Sequence, residues 1–211
     1  MTRSVATEKG IALLQVLMLL MMVTAIAAGA ATLARVEMLV SSFHQNERDA
    51  AYAAQAILAV ALRDLDDTAD WNGILAGVRT ATFADGAVTS PRQIPGGGTV
   101  VVCCASGSLT ARLRTDSGLT WQPFGWRSLS ALGNVADAPP YYLVAWVVDD
   151  PDDPDGNPAA DMNDRLMLHA EAVAPLGRRH GVDVLVERAP IDPVSGTRPR
   201  GLSVLSWRER R

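Results

Sequence analysis

The sequence predicts an α+β protein: one long N-terminal helix, then an antiparallel β-sheet packed on the second half of that helix. Three observations predict it. From Ile11 to Ala34 the chain carries no charged side chain. From Val36 to Asp67 it contains neither Pro nor Gly and is rich in helix formers. Beyond that point, short runs of alternating polarity are separated by connections rich in Gly, Pro and Asp. The 48% hydrophobic content of the 211 residues excludes a disordered chain, and the net charge of −4 argues against a dedicated nucleic-acid binder.

The first ten residues, MTRSVATEKG, are polar and end in Lys9-Gly10, and the apolar run starts at Ile11. A bilayer core of about 30 Å needs roughly 20 apolar helical residues, and Ile11–Ala34 is long enough to cross it. Three readings fit the block. It is a cleaved secretory signal, with Ala25-Ile26-Ala27 as the cut site; a plain anchor; or an apolar helix behind a leader that is cut before the run rather than after it. The helix is then expected to continue to about Asp66. Its second half carries apolar residues at Ala51, Ala54, Leu58, Ala61, Leu62 and Leu65, a spacing that puts one stripe against a packed partner.

A helical turn is expected over Trp71–Val78 and a loop over Phe83–Gly98. Strands are predicted over Thr99–Ala105, Leu109–Arg114, Tyr141–Val148, Leu166–Ala174, Val182–Arg188 and Leu202–Trp207. In Leu166–Ala174 the alternation puts Leu166, Leu168, Ala170 and Ala172 on one face and Met167, His169 and Glu171 on the other. Pro175–Arg179 turns that strand back into the next. A sheet of about four to six strands follows, as a single extended domain.

Two segments carry candidate chemistry. Asp149–Asp164 holds seven Asp and two Asn in sixteen positions. Hard oxygen ligands at this density suit Ca²⁺, while unpaired carboxylates would repel and loosen the loop. Asp153, Asp155, Asn157, Asp161 and Asp164 fall at ligand positions 1, 3, 5, 9 and 12 of an EF-hand-like register. Pro158 stands where that loop needs Gly, so an irregular site or a solvated acidic turn is expected instead of a true EF-hand. Cys103 and Cys104 are the only cysteines. A vicinal disulfide, an intermolecular bridge and two buried thiols are all open to them. His44, His169 and His180 are scattered, and no HExxH, GxSxG, Walker A or GxGxxG motif occurs; an enzyme is not expected. Arg198, Arg200, Arg208, Arg210 and Arg211 form a basic C-terminal cluster, read as a solvated edge. The five tryptophans are read as core or interface anchors.

The polar leader ending in Gly10, the apolar run from Ile11 and the segment around Ala51-Tyr52-Ala53-Ala54-Gln55-Ala56 resemble the N-terminus of PilX-like minor pilins of type IV pili. The C-terminal LSVLSWRER resembles their closing strand. The likeness covers about Lys9 to Leu65 and, loosely, the last ten residues. It implies a prepilin-type leader at 1–10 cut by a prepilin peptidase, methylation of the Ile11 amine and a membrane or fibre-core half at 11–34. An amphipathic half at 35–66 and a β-rich exported domain at 67–211 follow. It also implies storage in the inner membrane among lipid, passage through an inner-membrane assembly platform, and packing with other minor and major pilins at the cell surface. Major pilins carry Glu at the fifth mature position, where Gln15 stands here. The amide enters a bilayer more easily than a charge, and this departure resembles subunits that prime the fibre at its tip. The alternatives are a K-type minor pseudopilin of a type II secretion system and a membrane-anchored periplasmic binding domain. The first usually carries a large helical insertion, for which this chain has no room.

Overall fold

The computed structural model describes residues 5–210 except 95, 135 and 136, and the side chains of 5–10 and 176 are outside the description. The first four residues of the expected leader lie outside the described residues. One helix, α1, runs from Val5 to Asp66. The chain divides into two compact units, Met1–Asn46 and Glu47–Arg211.

The first unit, in its described part, is helical throughout, and every side chain from Ile11 to Asn46 is exposed. The two hydroxyls of Ile11–Ala34 are satisfied within the helix: Thr24 Oγ1 donates to the carbonyls of Leu20 and Met21, and Thr32 Oγ1 to that of Gly29. Neither threonine therefore brings an unpaired polar group to an apolar solvent. Among the described residues this is the one helix long and apolar enough to cross a membrane.

In the second unit the stripe on α1 becomes a core. Ala53, Ala54, Ile57, Leu58, Ala61 and Leu65 are almost completely buried. They pack on one face of a five-stranded antiparallel sheet, ordered β3-β4-β5-β6-β7. Its strands are β3 (Gln122–Ser128), β4 (Tyr142–Asp149), β5 (Arg165–Val173), β6 (Arg179–Arg188) and β7 (Leu202–Arg210). The predicted alternation holds: Leu166, Leu168, Ala170 and Ala172 lie in this core with Leu143, Ala145, Val182 and Val184. Small residues on both layers let helix and sheet approach closely. The helix ends where Thr68 turns back on it, its N–H donating to Leu65 O and its hydroxyl to Asp64 O. Trp71 closes that corner. Its indole N–H donates to Leu65 O, and the Arg188 guanidinium lies 3.7 Å above its ring.

The opposite face of β4 is also covered. A second core of Tyr142, Val144, Trp146 and Val148 packs with Val100, Val102, Leu109, Leu113, Trp121 and Trp126. The segment from β1 (Arg92–Gln93) through β2 (Thr99–Val100) to α3 (Leu109–Ser117) supplies this layer, whereas α2 (Asn72–Leu75) and α4 (Leu129–Gly133) add Ile74, Leu75, Leu129 and Leu132 to the first core.

Two expectations are corrected here. Leu109–Arg114 is helix and not strand. Ser108 caps it by accepting the Ala111 N–H, Gly118 ends it at φ +74°, and the four-residue spacing buries Leu109 and Leu113 together. Of Thr99–Ala105 only Thr99–Val100 is strand; the chain then bends through Cys103-Cys104, with Cys104 at φ +78°. The sequence reading also missed β3, whose Pro123 and Gly125 disguise it. As an edge strand with an irregular register between those residues, it tolerates a missing N–H. Gly125 is required there, because a Cβ would sit 2.2 Å from the Phe83 ring. Four of the tryptophans are buried, whereas Trp207 on the outer strand is 48% exposed.

Candidate functional site

The processing residues lie on α1: Gly10 is within the helix, Ile11 is exposed and Gln15 is exposed.

The acidic loop is more ordered than its charge predicts. Side-chain oxygens accept backbone N–H groups two residues on, from Asp150 to Asp152, Asp153 to Asp155, Asp155 to Asn157 and Asn157 to Ala159. This chain of Asx turns stitches a segment whose prolines, at 151, 154 and 158, supply no N–H of their own. The five EF-hand-like positions do not converge. Asp153 and Asp161 come together, and Asp149 at the end of β4 joins them, with one oxygen of each within 4.8 Å of the others. Asp155 and Asn157 are exposed. Asp164, at φ +61°, pairs with Arg198 at 2.9 Å. Asp149, the first residue of the acidic segment, fell outside the EF-hand-like register because a strand, and not loop spacing, positions it.

Three close carboxylates resist sharing negative charge. Burial, then the charges of Asp153, Asp161 and Asp155, push Asp149 up to about 7. Burial also raises Asp161. A divalent cation could replace the proton that the cluster otherwise takes up. The sign of the linkage follows. A carboxyl raised in the folded state costs stability above its folded pKa and none well below its unfolded one. Millimolar Ca²⁺ is therefore expected to raise the melting temperature most near pH 8 and least near pH 5. A thermal melt of the full chain in detergent checks it, and no shift at either pH removes calcium from this loop.

Cys103 and Cys104 are joined to one another, with Cα atoms 3.8 Å apart. Cys103 is buried and Cys104 exposed.

The sequence reading missed a charged network on the sheet face opposite α1. His169 on β5 is 3% exposed. Its Nδ1 lies 2.5 Å from Asp183 Oδ1 on β6, and its Nε2 3.6 Å from Glu171 Oε2. Asp183 also accepts from Arg210 Nε on β7. Glu171, also buried, takes both oxygens to Arg112 Nη2 of α3 at 2.7 Å and lies 3.6 Å from Arg179 Nε. The rings of Trp121 and Trp146 flank His169 at 5.8 and 5.4 Å. Register fixes this assembly, since His169 and Asp183 are direct cross-strand partners. Gly181 makes room for it, because a Cβ there would stand 2.7 Å from His169 Cε1. Burial alone would lower the His169 pKa, but the hydrogen bonds to Asp183 and Glu171 outweigh it and the net shift is upward. Burial alone would raise Asp183, and the contacts to His169 and Arg210 bring it below the usual carboxylate range. The alternation had placed His169 and Glu171 on this face, but nothing in sequence marked Asp183, Arg210 and Arg112 as their partners.

The fold and the apolar helix define an α+β protein with one helix capable of crossing a membrane. The chain matches no family model, no curated protein and no solved structure.

Proposed function

We propose that this chain is a minor subunit of a type IV pilus that takes part in initiating the fibre, with no catalytic activity of its own. The observation that carries the reading is the division of labour along α1. Its first half exposes Leu13, Leu14, Leu17, Leu20 and Val23, and its second half buries an Ala- and Leu-rich stripe under an antiparallel sheet. An apolar helix without charge suits both a bilayer and a bundle of like helices. The domain beyond it needs neither environment to bury its own core. In this reading the subunit waits in the inner membrane through Ile11–Ala34 and leaves lipid when its helix packs against those of other pilins. Gln15 gives it no carboxylate to pair with the terminal amine of a neighbour, which suits a subunit at the tip.

Mass spectrometry of the protein from its native host tests this. The expected mature chain starts at Ile11 with a methylated amine. An intact Met1 would point to a plain anchor, and a start near Ala28 to a secreted domain. Either result would reject the pilin reading.

A further inference from the structure

Cys103 and Cys104 are the only cysteines of the chain and are bonded to one another. A bond between neighbours closes a loop with no residue inside it, so it takes little freedom from the unfolded chain. Its effect in the folded chain is local. Cys104 stands at φ +78°, a left-handed conformation that residues with a Cβ rarely adopt. The bond ties Cys104 to Cys103, which is 8% exposed and whose N–H donates to Val88 O. The chain thus turns at a fixed place between β2 and α3.

That turn decides how α3 begins. The first N–H groups of a helix have no partner within it. Here the Leu109 N–H donates to Val101 O at 3.0 Å and the Thr110 N–H to Val102 O at 2.9 Å, both reaching back across the cysteine pair. Thr110 Oγ1 also donates to Val102 O and accepts from the Trp146 indole on β4. These bonds hold only while the chain between Val102 and Leu109 doubles back. Along that path Cys104, Ala105, Ser106 and Gly107 are exposed. Little packing holds it, and the bend at Cys104 sets its direction.

The pair is also open to chemistry. Cys103 is buried and Cys104 exposed, so an incoming thiolate meets Cys104. The chain has no third cysteine to exchange with the pair. Its partner must be an external thiol, and a dithiol leaves no adduct behind.

We infer that Cys103–Cys104 is a thiol-exchange site for a dithiol, and that its reduction releases Cys104 from the left-handed bend and loosens the first turn of α3. One thiolate of the dithiol attacks Cys104 Sγ. The bond to Cys103 Sγ breaks, and Cys103 leaves as a thiolate that takes up a proton. The second thiol of the dithiol gives up its proton and attacks the first sulfur, forming the disulfide of the reagent. Cys104 leaves and is protonated in turn. Two electrons and two protons pass to the protein. The site stands whether or not the chain is a pilin subunit.

The test treats the full chain in detergent, without denaturant, with dithiothreitol and then iodoacetamide. Both cysteines are expected to be alkylated in the folded domain, Cys104 at least about tenfold faster than Cys103. Hydrogen-exchange mass spectrometry on the chain held in dithiothreitol reads the bend. Leu109 and Thr110 are expected to exchange at least about tenfold faster than in the oxidised chain, with β5 and β6 unchanged. Two paired substitutions separate the bond from the bend. Cys103→Ser with Cys104→Ser should exchange like the reduced chain, with or without dithiothreitol. Cys103→Ser with Cys104→Gly should exchange at least about threefold more slowly than the serine pair, because glycine adopts the positive φ without a bond. The reduced wild-type chain decides the matter should either pair fail to fold. The proposal is overturned if the cysteines resist alkylation until urea unfolds the domain, or if reduction leaves Leu109 and Thr110 unchanged. It is equally overturned if β5 and β6 speed up by the same factor, or if the glycine pair exchanges as fast as the serine pair.

Discussion

Replacing Asp183 with Ala is expected to destabilise the Glu47–Arg211 unit by about 3–5 kcal/mol, because it strips a buried ion of its partner. His169, at 3% exposure, is almost cut off from water. It must lose its proton or keep an uncompensated charge beside Glu171. Arg210 loses its carboxylate as well, although it is more exposed and rehydrates at less cost. For a unit of this size the loss corresponds to roughly 6–20 °C in melting temperature. The control is Asp116→Asn. It touches the same network through Arg112 but at a side chain 53% exposed, and a change within about 0.5 kcal/mol is expected.

The same pair should write a recognisable pH profile. His169 is raised above its ordinary value of 6.5, so its contribution is complete below that value and is lost as pH rises through the folded pKa. Asp183 is lowered below its ordinary 3.8, so its contribution is complete above that value and is lost as pH falls through the folded pKa. Together they stabilise the unit most between these two ordinary values. Urea midpoints measured across pH in Asp183→Asn should lose this maximum. A profile that stays parallel to the wild type would mean that His169 is neutral and the network is not an ion pair.

The parts of this molecule that were legible in its sequence are those in which one residue pattern answers to one local geometry. The alternation of Leu166 to Ala172 named the buried face of β5 because a strand has a period of two. The stripe from Ala51 to Leu65 named most of the buried face of α1 for the equivalent helical reason: Ala54, Leu58, Ala61 and Leu65 are core, while Ala51 and Leu62 are only partly buried and Ala53 and Ile57 join the core unannounced. Short segments were not legible in this way. Leu109–Ser117 has too few apolar residues to separate a helix from a strand, and its identity lies in two end signals, Ser108 and Gly118. The sites were less legible than the fold. The carboxylate cluster takes Asp153 and Asp161 from the EF-hand-like positions but completes itself with Asp149, the first residue of the acidic run, which β4 carries into place. The network around His169 draws on α3, β5, β6 and β7, so its members are up to 98 positions apart in the chain, from Arg112 to Arg210. Cross-strand register creates such a site, and no spacing within one segment announces it.

Substitutions at two leucines of α1 should have separate effects. Leu58 is 1% exposed in the core of the second unit. Leu58→Ala is expected to cost about 2–5 kcal/mol of that unit's stability, through lost transfer energy and the cavity left between α1 and the sheet. Leu17 is 56% exposed in the apolar half. Leu17→Ala should leave the melt of the second unit within about 0.5 kcal/mol of the wild type. Leu17→Arg should do the same to the melt, yet add about 2.5–3.5 kcal/mol to the cost of placing the helix in a bilayer. Tryptophan fluorescence of buried Trp71, Trp121 and Trp146 reads the first effect, and the fraction retained in membranes after alkaline extraction reads the second. If Leu17→Arg lowered the fluorescence melt as far as Leu58→Ala does, the apolar half would be serving the core of the domain. If it left membrane retention untouched, Ile11–Ala34 would not be the segment that meets lipid. Loss of retention with an unchanged melt is the result expected of a helix whose two halves answer to two different solvents.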